Sequence, residues 1–322
     1  MVYEQFLKSI QNALKERLDP DCHVTIQTVT KNNGLAYDGI SIKKSEEPLV
    51  PFVYLNSFYH SYLSGIPFET IICNLLTLLQ KNDLPKIPST DVLQKPEQIT
   101  DTIIYRLINE TANRNQLNDL PHISIPNLDF ALIFYLSISE TSDHLYTALI
   151  HKCHQKMWDL STNDLYQMAK SNTPRLFPAR ITSLPETIRS ITKNSPDLKV
   201  VEKDIEDIFD SPSMYPPMYV LTNDVGTNGS VCMFYEGILK DFASHLGNDL
   251  IILPSSIHEV LIIPANKNIF YHELANTVRS INQEEVPYED RLSNHIYHYS
   301  RSKDQLTLTF TSSVSIETMN PL

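Results

Sequence analysis

Hydrophobic positions in the first 80 residues follow a helical period and then a strand period. Residues 1–18 repeat apolar side chains every three or four positions, which predicts an amphipathic helix. Residues 22–27 alternate apolar with polar, and the turn at 31–34 ends in glycine before a return strand at 35–43, so we expect a β-hairpin. The pattern also predicts a strand at 52–55, a brief helix capped by Asn56 and a longer helix over 68–79.

The middle of the chain contains both clear and ambiguous patterns. Residues 130–138 are rich in aromatic and β-branched side chains, which predicts a buried strand. Ser161 followed by Asp164 predicts the start of a helix, and Pro174 is expected to end it. Residues 103–108 fit a helix and a strand equally well, so both assignments stay open.

The last third alternates strands and helices joined by short turns. The predicted strands are 218–221, 231–235, 250–253, 260–263, 296–299 and 306–310, and the predicted helices are 238–246 and 270–281. This mixture predicts an α+β fold with mixed, mainly antiparallel sheets flanked by helices, in two or three lobes.

Proline-rich and acidic stretches indicate where one lobe ends and the next begins. We expect an N-terminal α+β lobe at 1–95, a middle α+β region at 96–195, an acidic proline-containing connector at 196–217 and a C-terminal α+β lobe at 218–322.

The composition is that of a folded protein with an acidic surface. Hydrophobic residues make up 42% of the chain and charged residues 20%, which are ordinary values for globular proteins. The formal charge of −12 disfavours binding to nucleic acid or anionic lipid. No stretch approaches the roughly 20 apolar residues of a membrane-spanning helix, and the charged first 18 residues do not resemble an export signal. We therefore expect a cytoplasmic protein with four free cysteines.

Glycine is scarce, and this limits the cofactors that the chain can bind. Only seven glycines occur, and neither the GxGxxG nor the GxxxxGK[ST] pattern is present. These patterns cradle dinucleotides and nucleotide phosphates, so we expect no cofactor of either class, and nothing else in the sequence predicts one.

The segment 253–260 places polar side chains between two predicted strands, a position where folds often present functional groups. Ser256, His258 and Glu259 are candidates for a nucleophile, a base and an orienting carboxylate. Residues this close in sequence rarely reach each other as a triad must, and no GxSxG motif surrounds either serine. In the structural interpretation, Ser256 caps a single helical turn and Glu259 returns the bond.

A second polar cluster contains three side chains that can bind metals within four residues: His151, Cys153 and His154. Zinc takes about four ligands, usually from two separated pairs, and no second pair is apparent. Other residues, such as His295 and His298, would have to complete such a site in space. The alternative is that Cys153 lies in the core and both histidines lie on the outer face.

Two further polar sets carry both a functional and a structural interpretation. Asn172 and Arg175 follow a predicted helix, where an arginine can bind a carboxylate or phosphate bidentately or fasten two lobes together. Arg106, Asn109 and Asn113 would share one face of a helix, either solvated or available for binding.

One further set of segments comprises residues 27–34, 54–56, 150–151, 156–158, 172–175, 217–223 and 253–260. Taken together, these segments resemble an uncharacterised family of proteins from clostridial gut bacteria, described only as a domain of unknown function. The final third is also distantly similar to the bacterial YtpQ family. The resemblance implies a bacterial cytoplasmic origin and one co-folded unit, and it implies no reaction.

The sequence supports three functional hypotheses. The first is a non-catalytic binding or regulatory protein whose partner is another protein, because no cofactor motif or plausible catalytic set is present. The second is an enzyme acting at the junction of the middle and C-terminal lobes, with Arg175 binding an anionic group and His258 or Glu259 as acid or base. The third, suggested by the resemblance alone, is an accessory factor of mobile elements or phage conflict.

Overall fold

Ten helices and three mainly antiparallel sheets form within the residues that the structure, a computed structural model, describes. Those residues are 1–43, 52–80, 96–140, 145–194, 216–266 and 271–310. The predicted α+β class is therefore confirmed. None of the helices in these ranges is both long and apolar enough to cross a lipid bilayer.

Two units divide the chain. The first comprises residues 1–100 and 137–148, and the second comprises residues 101–136 and 149–322. The lobes expected at 1–95, 96–195 and 218–322 stay predictions. All but the last two residues of the expected connector at 196–217 lie outside the described residues.

In the first unit, helices and a three-stranded sheet share one core. Its elements are α1 (Tyr3–Arg17), β1 (His23–Thr30), β2 (Ala36–Lys43), β3 (Phe52–Tyr54), α2 (Asn56–Leu63), α3 (Phe68–Gln80) and α4 (Pro96–Ile99), with sheet order β1-β2-β3. Phe6, Ile10 and Leu14 recur every fourth position of α1 and are fully buried with Leu75 of α3. The predicted hairpin is confirmed as β1 and β2, and the helices predicted at 1–18 and 68–79 are confirmed as α1 and α3.

The predicted cap of the brief helix is wrong. Asn56 is the first residue of α2, and the capping position is taken by Leu55. The Asn56 side chain instead accepts a hydrogen bond from the backbone N–H of Asp38 at 3.1 Å. This amide therefore joins α2 to the neighbouring hairpin, a contact between residues 18 positions apart that local spacing does not reveal.

The ambiguous segment 103–108 is a strand. The four-stranded sheet contains β4 (Ile103–Asn109), β5 (His122–Ser124), β6 (Phe130–Glu140) and β7 (Leu145–Leu149), in the order β4-β6-β5 with β7 paired to β6. All residues of β4 except Arg106 are buried, so the polar alternation of a half-exposed strand is missing. The prediction that Arg106 and Asn109 share one face of a helix is wrong, because residues three apart point to opposite faces of a strand. The predicted strand at 130–138 is confirmed as β6.

Three helices follow the small sheet: α5 (Arg114–Leu117), α6 (Lys152–Trp158) and α7 (Thr162–Leu176). The predicted start of α7 is confirmed, since Ser161 caps it and accepts the backbone N–H of Asp164 at 3.1 Å. The predicted end is wrong, because Pro174 lies inside α7, which continues to Leu176. We attribute the continued turn to tertiary hydrogen bonds made by the two residues before the proline.

The larger sheet has six strands in the order β13-β12-β10-β11-β9-β8. Its elements are β8 (Ala179–Ser183), α8 (Leu184–Asn194), β9 (Tyr219–Asn223), α9 (Ile238–Leu246), β10 (Leu250–Leu253), β11 (Val260–Pro264), α10 (Tyr271–Glu284), β12 (Ile296–Ser300) and β13 (Gln305–Phe310). Ala275 and Val278 of α10 share a core cluster with Ile251 and Ile263 of the sheet.

One strand predicted in this region is wrong. Residues 231–235 do not form a strand, because Gly229–Phe234 is a short 3₁₀ helix. Val231, Cys232 and Met233 are all buried, and so the apolar run does not reflect one face of a pleated strand. The remaining predicted strands and helices of the last third are confirmed within a few residues.

Candidate functional site

The segment 253–260 forms a tightly held loop between β10 and β11. The N–H of Ile257 donates to the Asp290 carbonyl at 2.8 Å, and the N–H of Leu292 donates to the Ser255 carbonyl at 2.9 Å. On the other side, the N–H of Gly229 donates to the His258 carbonyl at 2.9 Å. The predicted helical turn capped by Ser256 is absent from this loop, whose backbone groups bond to the segments on both sides.

A close backbone approach explains the glycine on one side of this loop. A Cβ atom at Gly229 would lie 2.7 Å from the His258 carbonyl oxygen and 2.3 Å from the Thr222 hydroxyl oxygen. Both distances are shorter than any normal contact, so glycine is the residue that fits here. The same hydroxyl of Thr222 donates to the His258 carbonyl at 2.8 Å.

Both ring nitrogens of His258 are engaged within the protein. The backbone N–H of Asn228 donates to Nδ1 at 3.2 Å, which leaves the ring proton on Nε2, 3.2 Å from Asp290 Oδ1. A histidine acting as a general base needs a free nitrogen facing the substrate. In this arrangement the ring fastens the 3₁₀ helix, the loop and the segment around Asp290 to one another.

The other two candidates in the loop also make local bonds. The hydroxyl oxygen of Ser256 accepts the backbone N–H of His258 at 3.0 Å. Burial raises the pKa of the Glu259 carboxyl above its ordinary value, against the opposing effects of His258 and of a hydrogen bond with Ser256. No hydrogen bond joins the Ser256 hydroxyl to the His258 ring in the described part of the chain. The three residues therefore lie together without the connectivity of a catalytic triad.

Asn172 and Arg175 lie inside α7, not in a loop after it, so their predicted setting is wrong. The buried Asn172 amide donates to the Ile103 carbonyl at 3.0 Å, while the backbone N–H of Tyr105 donates to the Thr173 hydroxyl at 3.1 Å. These bonds satisfy backbone groups along the outer edge of β4. Asn172 and Thr173 thus close one edge of the small sheet.

The side chain of Arg175 also bonds within its own unit. Its guanidinium donates to the Asp101 carbonyl at 2.9 Å and to the Asn172 side-chain oxygen at 3.2 Å. The hydrogen-bond partners of His258 are different residues, so no shared contact brings Arg175 and His258 together within the described residues. The enzyme hypothesis requires Arg175 to lie close to His258, and none of these contacts joins the two residues.

A buried polar network around Asp129 had no counterpart in the sequence patterns. One carboxylate oxygen of Asp129 accepts the Tyr297 hydroxyl, and the other accepts the Asn109 amide at 2.9 Å and the Ser293 hydroxyl at 3.0 Å. The ring of His295 lies 3.9 Å from the same carboxylate. Two members stood out in the sequence for other reasons: Asn109 within a helix that does not form, and His295 as a possible metal ligand.

The His151 cluster does not form a metal site within the described residues, where no group of three or more suitable ligands occurs. His151 Nδ1 lies 2.6 Å from Asp119, and His154 stacks on Trp158 with centroids 5.7 Å apart. Burial and the neighbouring His151 lower the pKa of His154. Cys153 is exposed, so its predicted core position is wrong. Trp158, at the end of the same short helix, takes the buried place instead.

The second unit also contains an open cleft of about 430 Å³. Three chain segments line it: the turn 125–128 before β6, residues within 233–240 at the start of α9, and Tyr299 of β12 together with 304–306 at the start of β13. Apolar walls come from residues such as Leu128, Phe234 and Leu306. No single motif marks this site in the sequence, because its lining residues come from segments that are distant from one another along the chain.

The polar groups of the cleft are biased toward negative charge. The Tyr299 hydroxyl donates to Asp304 at 2.5 Å, and Lys240 Nζ lies 3.2 Å from the other oxygen of that carboxylate. These two bonds lower the pKa of Asp304, while burial and then Asp304 raise the pKa of Tyr299. Asp241 and Asp249 raise the Tyr299 pKa further, which indicates a surplus of acidic groups around the phenol.

Comparison with known proteins identifies a family and no activity. Residues 3–301 match a family of unknown function, DUF5688. No curated protein matches the chain, and no solved structure does so.

Proposed function

The chain belongs to this family of unknown function, and we propose that it is a non-catalytic binding protein of the bacterial cytoplasm that recognises a segment of another protein. The bacterial and cytoplasmic parts of this proposal rest on the sequence resemblance and on the composition. The binding role rests on the contrast between two regions of the second unit: the loop at 253–260 and the cleft lined by Lys240 and Asp304.

The first support is that the conspicuous reactive side chains already have partners. Both nitrogens of His258 are bonded, and the hydroxyl of Ser256 accepts a backbone N–H. Groups held in this way stabilise a scaffold, whereas a catalytic nucleophile and its base are hydrogen-bonded to each other.

The second support is the chemistry of the open cleft, which is the observation that carries the proposal. Its walls are apolar, and its two exposed carboxylates each form an ion pair with a surface lysine, Glu236 with Lys170 and Asp304 with Lys240, while Asp304 also accepts the Tyr299 hydroxyl. Such surface pairs contribute little free energy, so a ligand cation can replace the lysine at small cost. A protein segment with apolar residues around an arginine or lysine is complementary to this combination.

A synthetic peptide tests the proposal. We would titrate the protein with an acetylated and amidated hexapeptide of alternating valine and threonine in which one of the two middle residues is arginine. The backbone amides of Gly237 and Gln305 would be followed by NMR. We expect saturable shifts at these amides, and binding at least 3-fold weaker when glutamate replaces the arginine. Equal binding of both peptides, or no shift at the cleft, would refute the proposed role.

Two protein variants with matched charge controls sharpen the result. Asp304→Asn removes the carboxylate that would receive the cation, and we expect roughly 2- to 5-fold weaker binding, the size of one exposed charge pair. Lys240→Gln removes the internal competitor, so we expect binding to strengthen. Asp21→Asn and Lys8→Gln change the net charge equally at exposed positions of the first unit, and neither control should alter the affinity.

A further inference from the structure

Resting on the function proposed above, we infer that the partner segment binds in an extended conformation and adds a seventh strand to the six-stranded sheet, beside β13. The cleft would then receive one basic side chain of that strand. This binding mode adds a second contact surface, the outer edge of β13, to the cleft.

The outer edge of β13 carries free backbone groups. β13 is the end strand of its sheet, and throughout the described ranges its residues bond on one side only, to β12. A strand in this position presents alternate N–H and C=O groups that another strand can pair with. Thr307 and Thr309 of this strand are exposed.

Two other edge strands of this unit, β4 and β8, carry a protection that β13 lacks. The outer edge of β4 is closed by the side chains of Asn172 and Thr173. At the opposite end of the larger sheet, β8 carries the exposed Arg180, and charged residues on edge strands oppose pairing. The sequence of β13, Gln-Leu-Thr-Leu-Thr-Phe, contains no charge, proline or glycine. Its composition and its position at the edge of the sheet therefore suit β13 to accept another strand.

The edge and the cleft are continuous. Gln305 and Leu306 line the cleft and are also the first two residues of β13. Leu306 pairs with Tyr299, whose hydroxyl holds Asp304. An added strand would lie about 4.8 Å from β13 and point every second side chain to the Leu306 face. A basic residue at that position reaches Asp304 while its neighbours pair with the β13 backbone.

Charge decides between the two occupants of such an edge. A second copy of the chain could pair β13 with itself, but each copy carries a formal charge of −12 and two carboxylates, Glu236 and Asp304, against one lysine in the lining of the cleft at the start of the strand. Like charges brought together in this way oppose association. A basic segment of a different protein meets the opposite field, and we therefore assign the edge to it.

Backbone methylation of the peptide probe tests the binding mode separately from the charge preference. The arginine hexapeptide is made in two further forms, one N-methylated at its odd and one at its even amides. A methyl group removes a donor and blocks pairing on the side that faces β13, whereas the other side is solvated. We expect one methylated form to bind at least 10-fold more weakly than the parent and the other to bind within 2-fold.

Hydrogen exchange in the protein gives an independent readout. At saturating parent peptide, we expect amide exchange within Leu306–Thr309 to slow at least 10-fold, with no slowing in β8 at the opposite edge. Equal binding of all three peptides, with unchanged exchange in β13, would overturn the added strand and leave the cleft function standing. Failure of the parent peptide to bind would overturn both. Sedimentation showing a dimer that the peptide dissociates would assign the edge to a second copy and overturn the inference.

Discussion

Replacing Tyr297 with phenylalanine tests the network that surrounds Asp129. The Tyr297 side chain is fully buried, and its hydroxyl donates to Asp129 and lies 2.8 Å from the Ser293 hydroxyl. A hydrogen bond to a charged group contributes roughly 1.5–3 kcal/mol, and phenylalanine keeps the ring contact with Phe130. We expect Tyr297→Phe to lower the free energy of unfolding of the second unit by about 2 kcal/mol.

The pH dependence of this difference has a defined sign. Burial, and then Asp129, raise the pKa of Tyr297 well above its ordinary value of 10.0. Folding therefore favours the protonated phenol, and the resulting stability is complete below pH 10 and is lost as the pH rises toward the folded-state pKa. Phenylalanine does not titrate, so the stability difference between the wild type and the variant should narrow above about pH 10.

Fluorescence provides the assay, because Trp158 is the single tryptophan and lies buried in the second unit. Urea titrations at pH 7 and above pH 10 give the difference in the free energy of unfolding between the wild type and the variant at each pH. A loss of 2 kcal/mol corresponds to roughly 4–8 °C in Tm for a unit of this size. Tyr271→Phe is the matched control, since its hydroxyl has no hydrogen bond within the described residues. A Tyr297→Phe effect no larger than the control effect would refute the reasoning.

Three other substitutions test separate parts of the scaffold through the same fluorescence transition. Gly229→Ala should cost roughly 1–3 kcal/mol, because the new methyl group displaces the His258 carbonyl, and an unchanged midpoint would contradict the close approach. Asn172→Ala leaves the buried carbonyl of Ile103 without its donor, so we expect a loss of roughly 1–3 kcal/mol, and a neutral result would show that the edge of β4 needs no cap. Ser161→Ala should cost about 1 kcal/mol and Ser161→Asn almost nothing, and equal losses would argue against capping.

Local patterns predicted the parts of this fold whose causes are local. The spacing of Phe6, Ile10 and Leu14 defines the buried face of α1, and the pair of Ser161 and Asp164 marks the start of α7. These features depend on residues within one or two turns of each other, and so the sequence carries them directly.

The errors arose where distant contacts determine the local structure. β4 was ambiguous because both of its faces are buried, and the helix α7 continues past Pro174 where Asn172 and Thr173 bond to that strand. Asp129 and Tyr297 are 168 residues apart, and no spacing rule connects them. Burial between layers is set by the tertiary structure and leaves no periodic signal in the chain.

The candidate site shows the same division. The loop at 253–260 was conspicuous because it gathers Ser256, His258 and Glu259, yet the partners of the His258 ring, Asn228 and Asp290, lie in other segments. The cleft could not be predicted at all, since its walls come from three segments with ordinary turn sequences. A surface assembled in this way becomes visible only when the strand order is known.

The reactivity of Cys232 reports on local opening of the chain beside the cleft. Its thiol is fully buried in the 3₁₀ helix next to Met233, and burial raises its pKa to about 12. Thiol reagents attack the thiolate, so this cysteine can react only while the surrounding turn is open. Cys73 and Cys153 are exposed and are modified without any such opening. The labelling rate of Cys232, compared with that of Cys73 and Cys153, therefore measures how often the wall of the cleft opens.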